Sequence, residues 1–125
     1  MKTKSIYFPE IKKEIHYLIG TNAYDNFLVI DEALEDDIWF HSKDASSCHV
    51  VCLLPNDLNL NKNEKQALIQ KGAELCVYNT HKLTLLYKVP VIYTEVKNVY
   101  KTKLIGLVKS FHTETILVTN SKNKI

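Results

Sequence analysis

Arginine is missing altogether: all 16 basic side chains of this 125-residue chain are lysines. That removes the planar fork that reads guanine or phosphate through two parallel hydrogen bonds. What remains favours salt-sensitive contact with a phosphate backbone over sequence-specific readout. Glycine, proline and cysteine are scarce too, at 3 residues each. Such a composition excludes collagen-like and low-complexity chains, and no repeat is visible. Cys48, Cys52 and Cys76 are an odd number without the spacing of a disulfide framework, so reduced thiols inside a cell are expected. No apolar run approaches the ~20 residues of a membrane span. Charges interrupt Met1–Lys13, where a secretory signal would carry its apolar core. The expectation is a cytoplasmic (or nuclear) protein with no membrane partner.

What is present reads as one ordinary globular domain over residues 1–125, with 46% hydrophobic and 24% charged residues. The net charge of +2 hides an asymmetry. Residues 1–64 hold 6 lysines against 11 acidic residues, leaving −5, and residues 65–125 hold 10 against 3, leaving +7. A basic C-terminal half is the footprint of a polyanion partner if its lysines share a face; scattered solvent lysines are the competing reading.

Ser5–Phe8 and Glu14–Gly20 read as strands, the second alternating Ile15, Tyr17 and Ile19 with Glu14, His16 and Leu18. Asn22 can cap a short helix in which Ala23, Phe27, Ile30 and Leu34 fall at helical spacing, with Asp25 in its first turn. Pro55–Asn63 is a polar loop. Asn63 and Gln66 form a capping-box-like start to a long helix over about Glu64–Lys82, with Leu68, Ile69, Ala73, Leu75 and Cys76 as its buried stripe. Gly72 inside that helix costs about 1 kcal/mol against alanine, which close packing on a sheet would explain. Val89–Glu95, Lys103–Ser110 and Glu114–Thr119 are strand-like, with Ser110–Thr113 as a hairpin turn. Asn120–Ile125 is expected to fray. The fold class is α+β: a mixed, largely antiparallel sheet with one long and one short helix packed on it.

The stretch 36–55 organises the chain. Two apolar runs, Ile38–Phe40 and Val50–Leu54, read as strands flanking a polar connection, Ser42–Cys48, with His41 and His49 at its edges. Ser42, Ser46 and Ser47 let backbone N–H groups face outward and Lys43 adds a positive charge, so the loop can hold an anion or the edge of a base. Trp39, His41 and His49 can stack on an unpaired base, and protonated histidines can meet phosphate at mildly acid pH. The alternative is that Trp39 is core and the histidines hydrogen-bond across the strands. Cys48 and Cys52 fall on one strand face and His49 on the other, which argues against a shared metal site. Asp44 with Ser46, Ser47 and a histidine reads better as a loop-capping turn than as a hydrolytic set, because proximity in sequence is no evidence of contact. No enzyme, metal or cofactor is expected. Lys97, Lys101, Lys103 and Lys109 can align on one face of the C-terminal sheet if no bulge intervenes, and would follow a phosphate backbone. A solvated face is the bland reading of the same residues.

Ile38-Trp39-Phe40-His41 followed by Ser46-Ser47-Cys48-His49-Val50 resembles the signature of the NFACT RNA-binding domain family. Val91-Ile92-Tyr93-Thr94, Asn98-Val99-Tyr100-Lys101 and Gly106-Leu107-Val108 resemble its tail, so the likeness runs over about residues 14–119. It is strongest to the small eukaryotic members, whose coiled-coil tail this chain lacks. Leu53 and Leu54 stand where relatives carry basic residues. The resemblance implies non-catalytic binding of structured RNA such as tRNA or rRNA, on or near ribosomes and linked to translation or ribosome-associated quality control. The other modules of the large NFACT proteins are not present, so their tailing activity is not implied. A protein-interaction module that kept the fold and lost RNA affinity is the alternative.

Overall fold

Val50–Leu53 is apolar at every position, and such a strand needs cover on both faces. The computed structural model describes residues 1–120 and shows where that cover comes from. In chain order the elements are β1 (Lys2–Phe8), β2 (Lys13–Ile19), α1 (Ala23–Asp31), β3 (Ile38–Ser42), β4 (Val50–Leu53), α2 (Lys62–Tyr78), a short α3 (His81–Thr84), β5 (Lys88–Glu95), β6 (Val99–Lys101), β7 (Val108–Ser110) and β8 (Glu114–Thr119). Six strands make one antiparallel sheet in the order β1-β2-β4-β3-β5-β8, and β6 pairs with β7 in a small second sheet. The α+β class and the mainly antiparallel sheet are as the sequence implies.

Side chains alternate between the faces of the large sheet. Ile15, Tyr17, Ile38, Phe40, Val50, Cys52, Val89 and Val91 point to one side and are covered by Leu68, Ile69, Ala73 and Cys76 of α2. Leu18, Trp39 and Val51 point to the other and are covered by Val29 and Ile30 of α1 with Val96 and Val99. Gly72 has the role expected of it: a Cβ there would lie 2.3 Å from the Phe40 ring, so only glycine lets α2 approach β3 this closely.

Several local expectations shift. The capping box is Asn61 with Glu64, two residues earlier than read: Asn61 Oδ1 accepts from the Glu64 N–H at 2.8 Å and Glu64 Oε1 accepts from the Asn61 N–H at 2.9 Å. Asparagines at 59, 61 and 63 leave the register open, and the carboxylate three residues beyond Asn61 decides it. The long helix stops at Tyr78 because Asn79 and Thr80 turn their side chains back onto the Leu75 and Cys76 carbonyls, and 81–84 is a separate turn. Residues 103–107 are a turn rather than strand, closed by the Thr102 N–H donating to the Leu107 carbonyl. Ser110–Thr113 is not a hairpin between neighbours, since β7 pairs with β6 and β8 with β5. Asn120 does not fray: its side-chain amide donates to the Leu83 and Leu86 carbonyls. The rest of the expected frayed tail, 121–125, lies outside the described residues.

Candidate nucleic-acid interface

The register of β3 on β4 places Trp39 opposite Val51 and Phe40 opposite Val50. One step further along, His41 and His49 face each other just past the end of the pairing, on the α1 side of the sheet. Their rings meet edge to face with centroids 4.9 Å apart. Trp39 completes the cluster, stacked on His41 at 5.8 Å and donating its Nε1–H to His49 Nδ1 at 3.1 Å. His41 Nδ1 bonds the Ser42 carbonyl at 2.6 Å.

His49 is fixed through its backbone as well. Its carbonyl accepts from the Gly20 N–H at 2.9 Å, and its N–H donates to Asn26 Oδ1 at 3.1 Å. Gly20 packs closely there: a Cβ would sit 2.2 Å from that same Asn26 oxygen and 3.1 Å from the Asn26 backbone. The end of β2 and an α1 side chain therefore converge on the His49 backbone at the entry to β4.

The cluster floors a groove of about 1110 Å³ bounded by the 20–26 segment, the 43–49 loop, the start of α3 and the 105–108 turn. Gly106, at φ 84°, seats that turn against Ala23, where a Cβ would come within 2.8 Å. Lys2, Lys43 and Lys82 stand around the groove. Lys82 donates to Ser46 Oγ at 2.7 Å and Lys2 to Asn79 Oδ1 at 3.2 Å. Neither Lys43 nor Lys82 is ion-paired among the described residues. Ser47 is spent on structure, its hydroxyl accepting from the Ser42 N–H at 2.9 Å and donating to the Cys48 carbonyl at 3.0 Å.

Burial pushes His49 down to about 3, with His41 adding to the effect. Burial also lowers His41, the Lys82 charge acting the same way and the Ser42 bond opposing. His49 therefore stays neutral at mildly acid pH and brings no imidazolium to a phosphate there, which corrects that expectation, and His41 is shifted in the same direction. Trp39, 1% exposed, offers no face to a base; it is core, and its stacking partner is His41. Cys48 and Cys76 donate to each other's carbonyls at 3.4 Å, and among the described residues no three His, Cys, Asp or Glu side chains gather as a metal site.

The C-terminal lysines do not form one row. Lys97 is drawn to Asp36 and Glu95 at 3.5 Å each, and Lys101 is paired with Asp31. Across the small sheet Tyr100 pairs with Lys109 and Lys101 with Val108, so Lys101 and Lys109 point to opposite faces. Lys103 is exposed in the turn. Sequence reading missed Gly20, Asn26, Gly106, Lys2 and Lys82, because the topology alone brings them to the hairpin.

Comparison with known proteins identifies the family of the chain. A family model described as the NFACT protein RNA binding domain matches residues 4–109. The chain belongs to this family. It is 29% identical over 84 residues to coiled-coil domain-containing protein 25 of Danio rerio, a match covering 67% of this chain and 40% of that protein. Among solved structures it is similar to the C-terminal part of the fibronectin/fibrinogen-binding protein from Streptococcus suis, with a TM-score of 0.73 and 26% identity over 95% of this chain and 45% of that one. The chain thus spans less than half the length of either relative. Within the matched residues, Trp39 and His41 of β3 and His49, just before β4, line the groove.

Proposed function

We propose that this chain binds RNA without acting on it chemically, and that the groove over His41 and His49 is the principal contact. The observation that carries the reading is the coincidence, in a member of an RNA-binding domain family, of a large groove with a polar aromatic floor and lysines at its rim. Ammonium groups of Lys2, Lys43 and Lys82 would meet phosphates, while Ser46 and the backbone of residues 44–47 would supply hydrogen bonds. Trp39 and Ser47 would act by holding the floor in place. Lys97, Lys101, Lys103 and Lys109 would add weaker, peripheral contacts, since two of the four already have carboxylate partners. Without arginine, selectivity would follow shape and strandedness rather than sequence. The reading extends to tRNA- or rRNA-like targets, a cytoplasmic setting and a link to translation or ribosome-associated quality control.

Fluorescence anisotropy of labelled tRNA and single-stranded RNA across a salt series tests this. Three phosphate contacts give a slope near −2 in log K against log salt, or about 20-fold weaker binding between 50 and 200 mM. Lys43→Glu/Lys82→Glu should weaken binding and flatten that slope, and Lys101→Glu should do much less. A larger loss in Lys101→Glu would move the site to the small sheet.

A second reading, a protein-interaction module, draws on the exposed Leu104, Ile105 and Leu107 of the 102–107 turn. Binding that is absent at low salt for every RNA tried would favour it.

A further inference from the structure

The two imidazoles on the groove floor have no choice of tautomer. An indole N–H can only donate, so the His49 Nδ1 that receives Trp39 carries a lone pair, and the proton of the neutral ring sits on Nε2. A carbonyl oxygen can only accept, so the His41 Nδ1 bonded to Ser42 carries the proton, and His41 Nε2 is left with a lone pair. Neither Nε2 has a hydrogen-bond partner among the described residues. Among the described residues no fully enclosed side-chain nitrogen or oxygen is without a hydrogen bond. His49 is only 2% exposed, so its one route to solvent is through the groove that it lines. A fixed donor and a fixed acceptor are therefore carried by two groove-lining rings whose centroids lie 4.9 Å apart.

We infer that His49 Nε2–H and His41 Nε2 together receive the Watson–Crick edge of one unpaired nucleobase, an inference that rests on the RNA-binding reading above. Each base presents on that edge a donor beside an acceptor: N3–H and O4 in uracil, N4–H and N3 in cytosine, N6–H and N1 in adenine, N1–H and O6 in guanine. The pair thus accepts any unpaired base and rejects one already paired. A phosphate oxygen fits poorly, since it satisfies His49 but sets its lone pairs against that of His41. Ile92, Leu107 and Val108 also line the groove and give the base faces apolar contact, while Lys43 and Lys82 stand where the attached backbone would leave. Arginine-free recognition of single-stranded character, without sequence, follows from two neutral rings held by Trp39 and Ser42.

The test compares three labelled oligoribonucleotides of one length: oligouridylate, an abasic chain, and a chain of 3-methyluridine, in which a methyl replaces the N3 proton. The wild-type protein should bind oligouridylate about tenfold more tightly than either of the others, the worth of one or two hydrogen bonds. His41→Phe keeps a ring on Trp39 but has no acceptor, and in it the advantage of uridine over 3-methyluridine should shrink to within about twofold. Should that variant not fold, side-chain 15N spectra of the wild type decide: oligouridylate shifts His49 Nε2–H and His41 Nε2, and the abasic chain does not. Equal binding of all three chains, a preference unchanged in His41→Phe, or silent histidine nitrogens each overturn the inference and leave RNA binding standing. Failure to bind any of the three overturns the RNA reading and the inference with it.

Discussion

Acid should destabilise this protein earlier than its carboxylates can explain, and His49 is the reason. In the folded state burial holds its pKa at about 3, against 6.5 for an ordinary histidine. Between those values the unfolded chain takes up a proton that the folded chain refuses. Stability is therefore full above pH 6.5 and is lost as pH falls towards 3. Worked through linkage, the loss from this one group is about 2 kcal/mol at pH 5, a large share of a typical 5–15 kcal/mol. Asp25 and Asp57, whose partners hold them below the usual carboxylate range, stay charged at pH 5 and contribute nothing in that window. His41, which also resists protonation and faces Lys82, adds to the slope in the same direction. Urea unfolding at pH 7 and pH 5 measures it, with the single buried Trp39 as the fluorescent probe. His49→Gln keeps an acceptor for Trp39 but has no titrating ring. It should be less stable at pH 7 by about 1–2 kcal/mol yet lose most of the difference between the two pH values. Equal wild-type stability at pH 7 and pH 5, or an undiminished pH slope in His49→Gln, would refute the reasoning.

Gly72→Ala should destabilise by about 1–2 kcal/mol despite its gain in helix propensity, because the new methyl meets the fully buried Phe40 ring; combining it with Phe40→Leu should recover part of the loss in chemical denaturation. Asp37 ties the turn after α1 to the central hairpin by accepting from the Leu34 and Leu54 N–H groups at 2.8 Å each, so Asp37→Ala should cost about 2–3 kcal/mol and Asp37→Asn, which keeps one acceptor, less. Among the three thiols Cys48 is half-buried at the groove and is lowered chiefly by its hydrogen bond with Cys76, with burial opposing, whereas burial raises Cys52. Peptide mapping after brief iodoacetamide treatment of the folded protein should find Cys48 alkylated first; labelling of Cys52 or Cys76 at a similar rate would contradict this.

The central hairpin was legible because strand periodicity and register both depend only on local sequence. Trp39 and Val51 pair across it, and counting two residues outward on each strand reaches His41 and His49. Gly72 was legible for a similar reason, as a helix position where only close packing compensates for the missing side chain. The basic C-terminal half misled, because counting charge cannot show that Lys97 and Lys101 are engaged by Asp36, Glu95 and Asp31. The stretch 103–107 misled through its Leu-Ile-Gly-Leu composition, which suits a strand as 108–110 does, where the backbone bond between Thr102 and Leu107 instead closes a turn. The protonation of the histidines was hidden as well. It depends on α1 and the 105–108 turn closing over the hairpin, contacts made by residues far away in the chain.

RNA is proposed to enter the groove above His41 and His49. Backbone amide NMR of the 15N-labelled protein, titrated with single-stranded RNA at low salt, locates the contact directly. Shifts concentrated at Gly20, Lys43, Ser46, Ser47, His49 and Gly106, saturating together, are the result this account predicts. Shifts confined to Lys103, Lys109 and the small sheet, with the groove residues unmoved, would contradict it.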